Sequence, residues 1–285
     1  MTDAIKHDVS GTAFVVNYSR SRIVNISQDL YAHLWVTPEA IALWNDLSLA
    51  VYPNDDLNIS LRNRFFLEQI KKFVTVNNNT VFISIAAGFD NYPFLIEADF
   101  RSVEYDLPNI MDLKKRLVEQ WMKEKKLPKR NIEFMGIDLN EEKQRIMMKQ
   151  NLQQVIGHNH SFVLMEGLTY YLKREVLSDI FKLLADIQES GSLVAFDYWG
   201  PDAMEYPAMA RLKAYLDKKF GDSGKAWNFL DETYIKGIEG FTTIESTDIA
   251  SLELKYAETR ILQGRDNKIP AHYAVLKKAV SMGPQ

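Results

Sequence analysis

The sequence predicts an α/β protein, a three-layer αβα sandwich around a seven-stranded, mostly parallel sheet, and three observations carry that expectation. From about Thr80 onward, short β-rich runs alternate with longer amphipathic stretches, the rhythm of stacked βαβ units. The β-rich runs are continuously apolar, as in Val-Phe-Ile-Ser-Ile at 81–85, which suits strands covered on both faces. The 285 residues, 46% hydrophobic and 25% charged, can enclose one sizeable core, so one domain over 1–285 is expected.

Taken in order, Asp29 to Leu49 and Leu57 to Phe73 read as two or three helices carrying aromatic residues, a helical cap over 1–78 with no linker before the first strand. The core, 79–199, holds strands at Thr80–Ala86, Ser102–Asp106, Asn131–Ile137, Ser161–Glu166 and Ser192–Tyr198. Between them lie helices at Asn109–Lys125, opened by Pro108 and closed by a lysine cluster, at Glu141–Gln154, and at Lys173–Glu189, stopped by Gly191. Each is long enough for a right-handed crossover. At Gly200-Pro201 the rhythm breaks, and a polar, aromatic helical insertion runs to about Gly240, placed to shape a substrate pocket. Two final strands, Phe241–Thr247 and His272–Lys278, complete the seven.

Composition excludes several functions. With 34 basic and 38 acidic residues the net charge is -4, so there is no broad cationic field for nucleic acid. The absence of cysteine removes disulfides, thiolate nucleophiles and cysteine-ligated zinc. Met1-Thr2-Asp3-Ala4 does not open a basic-then-apolar leader, and no 18 consecutive apolar residues occur, so a soluble, cytoplasmic protein with no membrane partner is expected. His158 and His160, in Gly-His-Asn-His-Ser, have metal-ligand spacing but sit in a turn before a strand, and no metal is expected. His33 reads as a packed or surface residue among helical aromatics. Oligomeric state is not legible, because exposed apolar patches require coordinates.

In open α/β sheets ligands bind beyond the carboxyl ends of the strands, and four strands here end in acids. The first runs into Ala86-Ala87-Gly88-Phe89-Asp90, a small-residue turn that admits a ligand close to the backbone, followed by a carboxylate. The second ends in Glu104-Tyr105-Asp106, where an acid accepts hydrogen bonds from two ribose hydroxyls in nucleoside binders; Asp106 is the choice, and Glu104, two residues earlier, shares its face. A solvated pair of acids is the plainer alternative. The third ends in Gly136-Ile137-Asp138-Leu139, an acceptor and an apolar residue for an adenine amino group and ring, although Asp138 or Asn140 would serve equally as the N-cap of the next helix. The fourth ends in Glu166-Gly167-Leu168-Thr169-Tyr170-Tyr171-Leu172, and burial of Glu166 demands a partner, in a ligand or in a structural salt bridge.

This order of motifs resembles the leucine carboxyl methyltransferase family, including its bacterial polyketide-type (tetracenomycin) branch, over roughly Ser19 to Tyr198. The family's Gly-Ala-Gly-hydrophobic-Asp corresponds to Ala86–Asp90, its Glu-x-Asp-x-Pro to Glu104–Pro108, its Asp-Leu to Asp138-Leu139, and its Glu-Gly motif ending in Tyr-Leu to Glu166–Leu172. It also places an arginine about two turns before the end of the helix preceding the first strand, and Arg62 lies in such a segment. The resemblance implies a Rossmann-like fold and S-adenosyl-L-methionine as cofactor. It further implies that Arg62, with Arg20 or Arg22, pairs with the methionine carboxylate, a bidentate fork suiting a carboxylate. Gly88 and Asp90 fall to the methionyl part, Asp106 to the ribose, Asp138 and Leu139 to the adenine, Glu166 to the amino group, and Tyr171 to the methyl-transfer end; Ala86 in the first turn and Glu104, which could support Asp106 or compete with it, are counted with the cofactor-binding residues. Three positions depart from the pattern: Ala86 replaces the first glycine, Asn91-Tyr92 replaces Thr-Arg, and Leu67 stands where bacterial members often carry an acid.

Methyl transfer from a sulfonium is an in-line displacement that needs alignment and a dry pocket more than an acid or nucleophile. A carboxylate acceptor, already ionised, needs no general base, whereas a phenol or alcohol does. The expectation is an O-methyltransferase acting on a small-molecule carboxylate, or on a protein C-terminal carboxylate. The aromatic residues Tyr198, Trp199, Tyr206, Tyr215, Trp227 and Tyr234 offer either an acceptor pocket or ordinary core packing. The alternatives are a nicotinamide-dependent oxidoreductase, which lacks its Gly-x-Gly-x-x-Gly here, and a non-catalytic cofactor-binding regulatory protein.

Overall fold

A computed structural model describes residues 10–77, 79–220 and 227–280. Five parallel strands come first: β1 (Val81–Ile85), β2 (Arg101–Asp106), β3 (Ile132–Gly136), β4 (Ser161–Met165) and β5 (Leu193–Trp199). They are followed by β6 (Phe241–Asp248) and β7 (Ala271–Lys278). The sheet order is β3-β2-β1-β4-β5-β7-β6, and β7 runs antiparallel to both of its neighbours. The order reverses between β1 and β4, which opens a crevice beyond their carboxyl ends. Register brings the tips level, because Val81 pairs with both Arg101 and Ser161 and Asp106 pairs with Gly136. Gly136 is required there, since a Cβ would lie 2.7 Å from the Pro108 Cα.

Ten α-helices surround the sheet among the described residues. The cap holds α1 (Ser10–Arg22), α2 (Val24–Ser27), α3 (Pro38–Ala50) and α4 (Asp55–Val76). The crossovers are α5 (Pro108–Lys123), α6 (Glu142–Ile156) and α7 (Arg174–Ile187), each within three residues of its predicted bounds. The insertion forms α8 (Pro207–Phe220) and α9 (Glu232–Lys236). Three helices are additional to those predicted, α1, α2 and α10 (Ile249–Tyr256). The last is capped by Asp248, whose side chain accepts from the Ser251 amide.

Strand alternation divides the core between the sheet's two faces. On one, Phe82, Phe162, Ala195 and Tyr273 meet Leu61, Phe65, Phe66, Ile70 and Phe73, the apolar stripe of α4 at helical spacing. On the other, Ile83, Val103, Val163, Val194 and Phe196 meet Met148 and Leu152 of α6 and Leu177, Ile180 and Leu184 of α7. Leu67, fully buried in the α4 cluster, explains why no acid stands at that position, because a carboxylate there would lose its hydration among apolar neighbours. A third cluster, with Trp35, Phe89, Phe94 and Trp121, locks the cap and α5 onto the turn after β1. Trp35 stacks on Phe89 at 4.6 Å between ring centroids.

Candidate active site

The centre of the crevice is Glu166, the residue that follows β4. Arg20 of α1 donates to its Oε1 at 2.6 Å and Arg62 of α4 to the same oxygen at 2.7 Å, while the Tyr92 hydroxyl donates to Oε2 at 2.5 Å. Burial pushes the Glu166 carboxyl up, but Arg20, Arg62 and Tyr92 outweigh it and hold the group below the usual glutamate range. Arg20 also lies 3.7 Å from Asp29, and Arg62 lies 3.3 Å from Asp197 near the end of β5. Asp197 accepts in addition from the Gly167 amide at 2.7 Å and the Tyr170 hydroxyl at 3.3 Å. Arg62 stands 14 residues before Val76, the last residue of α4, which is about four turns rather than the expected two. Arg22 is not part of this cluster; it pairs with Asp56 at 2.9 Å and lies over the Trp44 ring.

At the β1 tip, Ala86 adopts φ +60° and Gly88 φ +44°, so the turn is left-handed at both positions. A Cβ on Gly88 would meet nothing nearer than the Ala13 Cβ at 3.6 Å. Asp106 accepts from the Gly88 amide and the Leu107 amide, both at 2.7 Å, which joins the β1 and β2 tips through one carboxylate. Asp90 and Glu104 turn elsewhere. Both face Lys114 of α5, at 3.1 and 2.7 Å, and Asp90 also accepts from the Ser84 hydroxyl at 2.8 Å. Glu104 has no exposed surface, so its expected place beside the ribose gives way to a buried ion cluster. Burial and the neighbouring Asp90 push its carboxyl up to about 8 against the pull of Lys114.

At the β3 tip, Leu139 is buried and Asp138 half-buried. Asp138 Oδ1 accepts from the Asn140 amide at 2.9 Å and from the Asn140 side chain at 3.0 Å. The N-cap of α6 is Glu141, with no side-chain cap bond, so neither Asp138 nor Asn140 serves as that cap. The departures at 91 and 92 have structural partners. Asn91 donates to Asp29 at 3.0 Å and accepts from the Trp35 indole at 2.8 Å, which ties the cap to the turn after β1.

Tyr171 keeps 39% of its surface exposed beside the buried Tyr170, which stacks on Trp199 at 3.9 Å and 7°. Trp199 in turn meets Trp227 at 4.9 Å, and the insertion is tied to this wall by the Asn228 amide on the Tyr170 carbonyl and the Leu230 amide on the Trp199 carbonyl. The described histidines are elsewhere. His272 stacks on Tyr198, its partner across β5 and β7, on the face opposite Asp197; His33 bonds a carbonyl of its own segment, and His158 is fully exposed. His7 lies outside the described residues. A shallow concavity of about 420 Å³ sits at the other end of the sheet, lined by Asn79, Asp99, Arg101 and Asn131, away from the acid-tipped ends. Among the described residues no cluster of three metal-ligating side chains occurs, and no helix is long and apolar enough to cross a membrane.

The site residues missed in the sequence are Asp197, Tyr92, Tyr170 and Lys114. Asp197 carries the signal that found the others, an acid near the end of an apolar strand, in Leu-Val-Ala-Phe-Asp. For Lys114 no such signal exists.

A sheet of this order, with acids at the tips of β2 and β4 and a small-residue turn after β1, defines an S-adenosylmethionine-dependent methyltransferase fold. The family model described as leucine carboxyl methyltransferase matches residues 19–185. The chain therefore belongs to the leucine carboxyl methyltransferase family, whose cofactor is S-adenosylmethionine, and it is an enzyme of that class. No curated protein matches the sequence. Among solved structures, a DUF574 family protein from Streptomyces avermitilis is 12% identical with a TM-score of 0.64, over 94% of this chain and 97% of that one. A putative methyltransferase from Thermobifida fusca is 11% identical with a TM-score of 0.64, over 98% and 97%. Magnesium protoporphyrin IX methyltransferase from Synechocystis, with bound S-adenosylhomocysteine, is 8% identical with a TM-score of 0.51, over 93% and 100%. At these identities the likeness is one of fold.

One observation tests the crevice against the cofactor. Arg20 is buried with Nε and Nη1 lacking hydrogen-bond partners, its contact with Asp29 being too long for one. Unpaired guanidinium donors beside a clamped glutamate fit an amino-acid zwitterion, which brings a carboxylate for the first and an ammonium for the second.

Proposed function

We propose that this enzyme methylates an oxygen of its acceptor, a carboxylate of a small molecule of the polyketide-like kind, or else a protein C-terminal carboxylate. The observation that carries this reading is that, among the described residues, no group at the crevice is poised as a base. Glu166 and Asp197 are held by arginines, Asp106 accepts from two backbone amides, and the described histidines are elsewhere. An acceptor that is already ionised matches such a site.

In this reading Glu166 holds the cofactor's ammonium, and Arg62 with Arg20 holds its carboxylate. Asp106 accepts from the ribose hydroxyls, Asp138 and Leu139 receive the adenine, and Ala86 and Gly88 give the backbone approach. The cofactor, when bound, supplies an electrophilic methyl group, its carbon–sulfur bond breaking with the electron pair left on sulfur as the carbon–oxygen bond forms. Tyr171 lines the acceptor end. Its hydroxyl, a phenol that is protonated at neutral pH, donates to the acceptor carboxylate rather than withdrawing a proton.

The test is calorimetric titration of S-adenosylmethionine and NAD into the wild type and Asp106→Ala, with a screen of radiolabelled transfer to carboxylic acids and phenols. S-adenosylmethionine binding near micromolar, roughly -8 kcal/mol, should weaken at least tenfold in the variant. Product label should be released as methanol by mild alkali, the mark of an ester. Alkali-stable product, or transfer to phenols alone, would overturn the carboxylate reading.

A further inference from the structure

Five charged side chains cross the crevice in alternating sign, Asp29, Arg20, Glu166, Arg62 and Asp197, with successive separations of 3.7, 2.6, 2.7 and 3.3 Å. All five side chains are buried or nearly so, and the two ends, Asp29 and Asp197, are each 1% exposed. Three carboxylates against two guanidiniums leave one negative charge, and a buried net charge is costly unless an opposite charge arrives. The adjacent cluster does not provide it, because Lys114 there already faces both Asp90 and Glu104.

Asp197 is the member whose charge the fold least requires. It accepts from the Gly167 amide and the Tyr170 hydroxyl, and an asparagine carbonyl could accept the same two bonds. Arg62 also donates to Glu166 at 2.7 Å, on the oxygen that Arg20 reaches too. Asp197 thus shares Arg62 with Glu166, and the five side chains together carry one negative charge more than their two arginines balance.

We infer that Asp197 supplies the counter-charge for the sulfonium of the cofactor, so that the site distinguishes the cationic methyl donor from its neutral demethylated product. This rests on the placement above of Glu166 and the two arginines at the amino-acid end, where ammonium and carboxylate cancel in donor and product alike. What then remains is the sulfonium, a single positive charge that meets the single surplus negative charge. Transfer of the methyl group leaves a neutral thioether on sulfur. The charge mismatch returns, and product release is favoured.

The test compares three ligands by calorimetry on the full chain: S-adenosylmethionine, sinefungin, which carries an ammonium in place of the sulfonium, and neutral S-adenosylhomocysteine. Asp197→Asn should weaken the two cationic ligands by at least about tenfold, a lower bound because a nearby counter-charge at an effective dielectric near 20 is worth more than that. It should change S-adenosylhomocysteine by less than about threefold, which a loss of packing would not do. Asp29→Asn, which removes a charge at the far end without touching β5, should shift the ratio in the same direction by less, and it decides the matter if Asp197→Asn does not fold. An equal loss for all three ligands, or no loss for the cationic pair, overturns the inference while the cofactor placement stands. Failure of the wild type to bind any of the three overturns both.

Discussion

Replacing Tyr92 by phenylalanine removes one hydroxyl and nothing else. That hydroxyl donates to Glu166 Oε2 at 2.5 Å, and both groups are buried. A hydrogen bond to a charged acceptor in such a setting is worth about 1.5–3 kcal/mol, so unfolding free energy at pH 7 should fall by about 2 kcal/mol. The pH dependence gives an independent sign. The folded Glu166 carboxyl lies below its ordinary value, through Arg20, Arg62 and Tyr92 acting against burial. Its stabilising contribution is therefore present above the ordinary glutamate value and is lost as pH falls through the depressed folded value. Loss of the Tyr92 bond raises that folded value, so the acid limb of the stability profile, which opens at the ordinary glutamate value in both proteins, should be shorter and end at higher pH in Tyr92→Phe. Urea unfolding at a series of pH values from 3 to 8 measures both quantities. A loss under about 0.5 kcal/mol with an unchanged acid limb would refute the account of Glu166.

The left-handed backbone at Ala86 predicts that Ala86→Gly is nearly neutral in thermal unfolding, because relief of roughly 1–2 kcal/mol of steric strain is offset by the chain entropy of glycine. Ala86→Val, with its branched Cβ at φ +60°, should lose about 2 kcal/mol or more and weaken cofactor binding. Lys114→Met leaves Asp90 and Glu104 facing each other without a cation, and should cost about 3–5 kcal/mol in chemical denaturation; a loss under 1 kcal/mol would contradict the buried cluster. Glu104, pushed up to about 8, holds its proton in the fold at pH values where the unfolded chain releases it, so this contribution is lost as pH rises from the ordinary glutamate value toward 8. Glu104→Gln should match the wild type near pH 5 and exceed it above pH 8, and parallel stability profiles would show the shift to be absent.

What the sequence could and could not disclose follows from the range of each interaction. Strand tips were legible because continuous apolar runs such as 81–85 end in small or acidic residues, and strand position fixes which end faces the crevice. The resemblance to the family rested on those tips, and the seven-strand sheet on the runs themselves. Whether an acid faces ligand or protein is a different matter. Glu104 and Asp106 share a face of β2, yet one meets Lys114 and the other a backbone amide, a division set by the register of α5 against the sheet. Helix α1 escaped for a related reason: Phe14 and Val15 are adjacent rather than spaced along a stripe, and Asn17 and Arg20 are buried through hydrogen bonds and ion pairs made far along the chain. Periodicity cannot reveal a helix whose inner face is polar.

The placement of β7 also governs the order in which the chain can be completed during synthesis. The strand pairs over seven residues with β5 and on its other side with β6, although it follows both in sequence. Until residues 271–278 have left the ribosome, β5 is a bare edge presenting Leu193–Trp199, an apolar run buried on both faces in the finished fold, and β6 has no place in the sheet. A nascent chain at that stage displays an unpaired, hydrophobic strand of the kind that templates association between molecules. Chains truncated before Ala271 should accordingly accumulate as aggregates rather than as a loosened monomer, and chaperone capture during translation should be strongest in the interval between the emergence of β5 and that of β7.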